Sequence, residues 1–178
     1  MMMSFSGVLH SEYPITHSTF HHMSVYLLPL AIGFVAGLRT FTAPAAVSWA
    51  ACYGWLDLHG TPLEFMGSWV AVAVFSVAAL GEYVADKLPQ TPNRTNPGPL
   101  VGRILSGGLA GAALSLSSGH SFVAGAVFGG LGAVLGAFAG YHARRALVSR
   151  LGAKDIVVAL SEDVVAVLLG YLAVSGSL

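Results

Sequence analysis

Charge is what this chain has least of: 9% of its 178 residues are Asp, Glu, Lys or Arg, while 55% are hydrophobic. A water-soluble domain carries about 25% charged residues, and so few cannot cover a globular surface. The shortage excludes an ordinary soluble fold and points to lipid as the solvent. Neither sign prevails, with eight basic residues against eight acidic ones. No basic stripe is present, which sets nucleic-acid binding aside. Cysteine is almost missing too. Cys52 stands alone, so neither an internal disulfide nor a thiolate metal cluster can form. Also lacking are the short alternating segments of a membrane barrel. Long continuous apolar runs leave helices, because backbone in lipid must satisfy its own hydrogen bonds.

What is there is apolar length. Mean hydropathy is +0.74. At about 20 residues per crossing, the pattern predicts an all-α, polytopic transmembrane helical bundle of about five spans. The bilayer is then the first partner, and so small a bundle admits a homo-oligomer. Residues 1–24 read differently. They hold four of the seven His (His10, His17, His21, His22) and no Lys or Arg. A signal peptide needs a basic start, an apolar core and a small-residue cleavage site, and none of the three is found. The stretch reads as a disordered His-rich tail, with a metal-binding tail as the weaker alternative. Translation starting at Met23 is another reading. Residues 25–178 form the transmembrane domain.

The first apolar run, Val25–Leu56, is too long for one crossing: as one helix it would measure about 48 Å against a core of about 30 Å. Arg39 and Pro44 lie within it. Proline removes a backbone donor and clashes with the preceding turn, so a break is expected near Arg39–Pro44. The run is either one kinked span or two half-helices around an unwound centre. A single crossing puts the N-terminus inside, and a hairpin puts it outside. Further spans are expected at about 65–84, 100–116, 122–141 and 156–174. Four of the eight prolines fall in 89–99, which reads as an extramembrane loop.

Seven of the eight basic residues gather in two places: Lys87, Arg94 and Arg103 around the proline loop, and Arg144, Arg145, Arg150 and Lys154 in the last linker. The positive-inside rule places loops 87–103 and 144–154 in the cytoplasm of a multi-pass inner-membrane protein. Lys87, Arg94, Arg103, Arg144 and Arg145 then set topology and meet anionic headgroups. Spans three and four are rich in glycine at four-residue spacing: Gly107 and Gly111, Gly125 and Gly129, then Gly132, Gly136 and Gly140. Small residues so spaced let helices approach closely in lipid. Packing of spans three and four on each other is the plainer use, and a dimer or sliding face the functional one.

Charges inside spans carry the chemistry. One at the bilayer centre costs about 2.5–3.5 kcal/mol on insertion scales, so such groups face a bundle interior or a wet cavity. Arg39, Glu82, Asp86, Glu162 and Asp163 qualify. Glu82 and Asp86 are one helical turn apart and share a face. Together the five predict a buried polar cluster. It is either a structural salt-bridge network or a site where a cation or proton binds, its carboxylates shifted by burial and crowding. No metal site or cofactor is implied, and no catalytic motif is found. Transport through a small cation- or proton-coupled carrier or channel is the leading function, with the substrate open. A non-catalytic assembly or accessory subunit is the alternative. A lipid-headgroup enzyme using Lys87, Arg94 and Arg103 is a third class.

Three segments carry a resemblance: Ala36-Gly37-Leu38-Arg39-Thr40-Phe41-Thr42-Ala43-Pro44, Gly81-Glu82-Tyr83-Val84-Ala85-Asp86-Lys87-Leu88-Pro89, and Ala159-Leu160-Ser161-Glu162-Asp163. Together the chain resembles the bacterial membrane-protein family known as domain of unknown function 4126, over roughly Leu27 to Val174. The most specific part is Glu82-x-x-x-Asp86-Lys87-x-Pro89 with Arg103 following the proline loop. The likeness implies a small multi-span inner-membrane protein and brings no reaction with it.

Overall fold

The computed structural model describes residues 16–86, 95–151 and 155–175, with side chains described over 26–86, 95–149 and 156–175. Six α-helices appear in order: α1 Thr16–Leu38, α2 Thr42–Cys52, α3 Trp69–Ala85, α4 Pro97–Ser117, α5 Phe122–Leu151 and α6 Asp155–Ser175. A 3-10 turn, Glu64–Gly67, precedes α3. Among the described residues there is no strand, so the all-α bundle stands. The expected count of five full spans does not. Three helices (α4, α5 and α6) are long and apolar enough to cross a membrane, while Tyr26–Leu38 and Trp69–Ala85 are shorter apolar segments.

That break leaves two helices rather than one kinked span. α1 ends at Leu38 and α2 begins at Thr42. Pro44 lies in the first turn of α2, where a missing N–H is not needed, so it starts a helix instead of bending one. The two arms then fold back. A Cβ built on Gly170 of α6 would lie 3.5 Å from the Ala46 methyl and 3.7 Å from a Val35 methyl. Residues on both sides of the break therefore flank one level of α6. Antiparallel contacts along α3 agree: Thr42 Oγ1 is 2.8 Å from the Tyr83 hydroxyl, and Trp49 Nε1 donates to Ser76 Oγ at 3.0 Å. The run is a hairpin whose tip, Arg39–Phe41, points towards the end where α3 stops and α4 starts. The N-terminal end of α1 lies at the opposite end of the bundle.

Two boundaries shift. α1 begins at Thr16, inside the stretch expected to be tail, because propagating a formed helix costs little; residues 1–15 lie outside the described residues. α5 runs on to Leu151, so Arg144 and Arg145 sit on a helix rather than in a linker.

Glycine assembles the core, in a pattern broader than the sequence suggested. α5 is wedged between α1 and α4. On Gly129 an added Cβ would meet the Gly107 carbonyl oxygen at 2.1 Å, and on Gly111 it would meet that of Gly125 at 2.4 Å. This is the expected packing of spans three and four. The continuing stripe turns to α1 instead. Gly132 faces the Leu30 oxygen at 2.1 Å and Gly136 the Phe34 oxygen at 2.2 Å, while Gly33 of α1 would strike the Gly129 oxygen at 2.0 Å. Gly140 is also buried. Three backbones thus meet near Gly33, Gly107 and Gly129, so these glycine faces are occupied within the chain. α1 and α5 run parallel, and α4 runs antiparallel to both.

Candidate functional site: an ionic cluster at a helix break

The hairpin tip gathers side chains from four helices. Arg39, fully buried at 0% exposure, forms ion pairs with Asp86 at the end of α3 and with Asp163 of α6, the latter at 2.6 Å. Its guanidinium also lies 5.6 Å from the centre of the Tyr83 ring. Asp163 stands two turns inside α6, about 12 Å by helical rise. Asp86 and Asp163 each keep 13% of their side-chain surface exposed, so neither is sealed as Arg39 is.

The broken backbone draws the remaining charges. Glu82 accepts hydrogen bonds from the Thr40 and Phe41 amides at 2.8 and 2.9 Å. It thereby caps the start of α2 from a different helix. Arg103 donates to the Gly37 carbonyl at 2.8 Å and to that of Ala36 at 3.5 Å, at the end of α1. Ser106 Oγ donates to the Thr40 carbonyl. Arg103 and Glu82 are 3.4 Å apart. A helix carries about half a positive charge at its start and half a negative one at its end. The carboxylate meets the positive end and the guanidinium the negative end.

The expected cluster of Arg39, Glu82, Asp86 and Asp163 therefore converges. Glu162, next to Asp163, is partly buried and lies about 100° further round α6. Arg103 corrects the expectation. Read as a headgroup and topology residue, it is 4% exposed and reaches into the cluster. It stands six residues inside α4, and the end of α1 gives it partners. Arg144 and Arg145 lie on the outer part of α5, half-buried and exposed respectively. Lys87 and Arg94 lie outside the described residues, and the side chains of Arg150 and Lys154 do too. Sequence reasoning missed Thr40, Thr42, Tyr83 and Ser106. The signal for Thr40 and Thr42 was proximity to the break, and for Tyr83 its place between Glu82 and Asp86; Ser106, on α4, carried none. Among the described residues no group of three or more His, Cys, Asp and Glu could hold a metal ion.

Arg39 at the break, Glu82 and Asp86 on α3 and Asp163 on α6 all lie in the three segments that carry the resemblance. Residues 26–176 match the family described as Domain of unknown function (DUF4126). The chain belongs to that family. In this DUF4126 protein the match takes in α1 from Tyr26 onward, α2 to α6, and every residue of the cluster. No curated protein and no solved structure matches it.

Proposed function

We propose that this membrane-embedded protein is a small transporter or channel coupled to a proton or cation, and that the exchanging carboxylates are Asp86 and Asp163. One observation carries the reading: a single buried guanidinium, Arg39, is shared by two carboxylates from two helices. When either carboxylate parts from the shared guanidinium, its charge attracts a proton or a cation. That attraction is strong where the dielectric is low. A broken helix with ionisable groups at its ends is a recurring construction for transport sites. Both loops with clustered basic residues leave from the end nearest the cluster, and the proposed topology puts that end in the cytoplasm of an inner membrane, with the N-terminus on the opposite side. An accessory-subunit role would need surfaces other than the glycine faces, which are already used inside the chain.

The test is flux in proteoliposomes, with an internal pH dye and a panel of alkali and divalent cations. Wild type should exceed empty vesicles for at least one ion. Asp86→Asn and Asp163→Asn should lower that flux or shift its pH profile, with melting temperatures near wild type. Glu64→Gln, in the far loop, should leave it unchanged. Flux equal to empty vesicles across the panel, or equal flux in all four proteins, refutes the proposal.

A further inference from the structure

A second feature lies beside the cluster and takes no part in it. An open groove of about 550 Å³ runs along α2 between α3 and α6. α2 packs on both neighbours and forms the floor. The walls are apolar or aromatic and include Ala46, Trp49, Leu80, Tyr83, Val167 and Tyr171. Its inner polar atoms are already engaged: Trp49 Nε1 with Ser76, and Thr42 with Tyr83. Inside the rim those bonds leave a polar ligand no open partner among these four side chains, and water needs two to four polar partners to occupy a cavity. The mouth is continuous with the lipid-facing sides of α3 and α6, where Val77, Leu80, Val164 and Leu168 are exposed. At one end stand Tyr53, Trp55 and Tyr171, all more than half exposed. Trp and Tyr favour the headgroup level of a bilayer. At the other end Tyr83 closes the groove and touches Arg39 on its far side.

We propose that this groove is a binding site for one hydrocarbon chain of a membrane phospholipid. The headgroup rests at the Tyr53–Trp55–Tyr171 rim, and the chain lies along α2 towards Tyr83. The groove exists because α2 has only 11 residues, about 16 Å of helix. Inside a bilayer no hydrophobic force drives the chain in, since lipid tails are equally apolar. Its residence rests on close van der Waals fit, which makes binding sensitive to the shape of the walls.

The probe is a phosphatidylcholine with a diazirine near the methyl end of one acyl chain, mixed into nanodiscs holding the full chain. After irradiation, adducts are mapped by peptide mass spectrometry. Labelling of peptides around Ala46, Leu80 and Tyr83 should exceed that of the exposed face of α5 several-fold. Leu80→Trp and Ala45→Phe, which fill the groove, should remove the excess, whereas Leu131→Trp on α5 should not. Should a filling variant lose its helical melt, Val167→Trp on the opposite wall supplies the same reading. Even labelling of all lipid-facing helices overturns the proposal, as does labelling unchanged by the filling variants. A second copy of this chain crosslinked across the groove overturns it too. None of these results bears on ion flux, so failure here is separable from failure of the transport reading.

Discussion

Replacing Arg39 by Met removes the one cation that two carboxylates share and keeps most of its volume. Asp86 and Asp163 then face each other across a gap with no guanidinium between them. Breaking a buried ion pair by removing one partner costs about 3–5 kcal/mol. The lost contact with the Tyr83 ring adds about 0.5–2 kcal/mol. For a chain of this size each kcal/mol moves the melting midpoint by about 2–4 °C, so a fall of roughly 7–28 °C is expected. Circular dichroism at 222 nm in a mild detergent reads it directly. A rescue makes the test sharper. Removing all partners of a buried ion pair together is often nearly neutral. The triple variant Arg39→Met, Asp86→Asn, Asp163→Asn should therefore recover most of the loss while Arg103 and Glu82 stay in place. Arg39→Lys should fall between, because a point charge cannot span both carboxylates as a planar fork does. A single variant melting with wild type refutes the argument, and so does a triple variant as unstable as the single one.

Exchanging the charges of the other pair should fail to rescue: Glu82→Arg with Arg103→Glu should melt no higher than either single variant, because each charge answers one helix end. Recovery to wild type would mean that only their mutual attraction matters. Gly129→Ala should disrupt packing, with its new methyl 2.1 Å from the Gly107 oxygen and an overpacking cost of about 1–3 kcal/mol. Gly81→Ala, with open space around it, should be neutral or gain up to about 1 kcal/mol, and equal melts for the two would contradict the assignment. Glu64, outside the spans, accepts from the Gly60 amide at 3.0 Å and lies 3.2 Å from His59 Nδ1. The Gly60 bond, then His59, hold its carboxyl below the usual range. A lowered folded value means that this contribution to the loop is intact at neutral pH and lost as pH falls through that value. The Gly60 amide shift, followed by NMR in micelles, should titrate below a peptide glutamate, and a midpoint at or above it would refute this.

Class and cluster were readable because charge is so expensive in oil that each ionisable residue inside an apolar run stands out. Arg39, Glu82, Asp86 and Asp163 were found that way. Arg103 escaped the same logic. It follows the proline loop closely, and a basic residue just inside a span usually snorkels to the interface. Its burial depends on a tertiary fact, the α1 carbonyls arriving opposite it. The direction of the chain after the break was equally hidden. Pro44 marks an interruption, but whether the second arm continues or returns is decided by what it packs on, here α3 and α6. Gly33 and Gly37 carried the four-residue spacing openly in α1. They were passed over because that run was read for charge, and their partners lie about a hundred residues away in α5.

The cluster divides into two parts with different claims to function. A helix interruption leaves several carbonyls and amides without helical partners, and in lipid the protein itself must supply them. Arg103, Ser106 and Glu82 do this for Gly37, Thr40 and Phe41. Their charge is accounted for by the fold, so flux lost on mutating them would speak first of a collapsed hairpin. Arg39, Asp86 and Asp163 have no such duty. The ion pairs and the ring contact of Arg39 join side chains to one another, and an apolar residue at position 39 would leave the capping by Arg103, Ser106 and Glu82 in place. A buried ion group whose pairs join side chains to one another rather than to the broken backbone is retained against a cost of several kcal/mol per ion. That retention, rather than the mere presence of charge in the membrane, is the physical ground for placing ion exchange at Asp86 and Asp163.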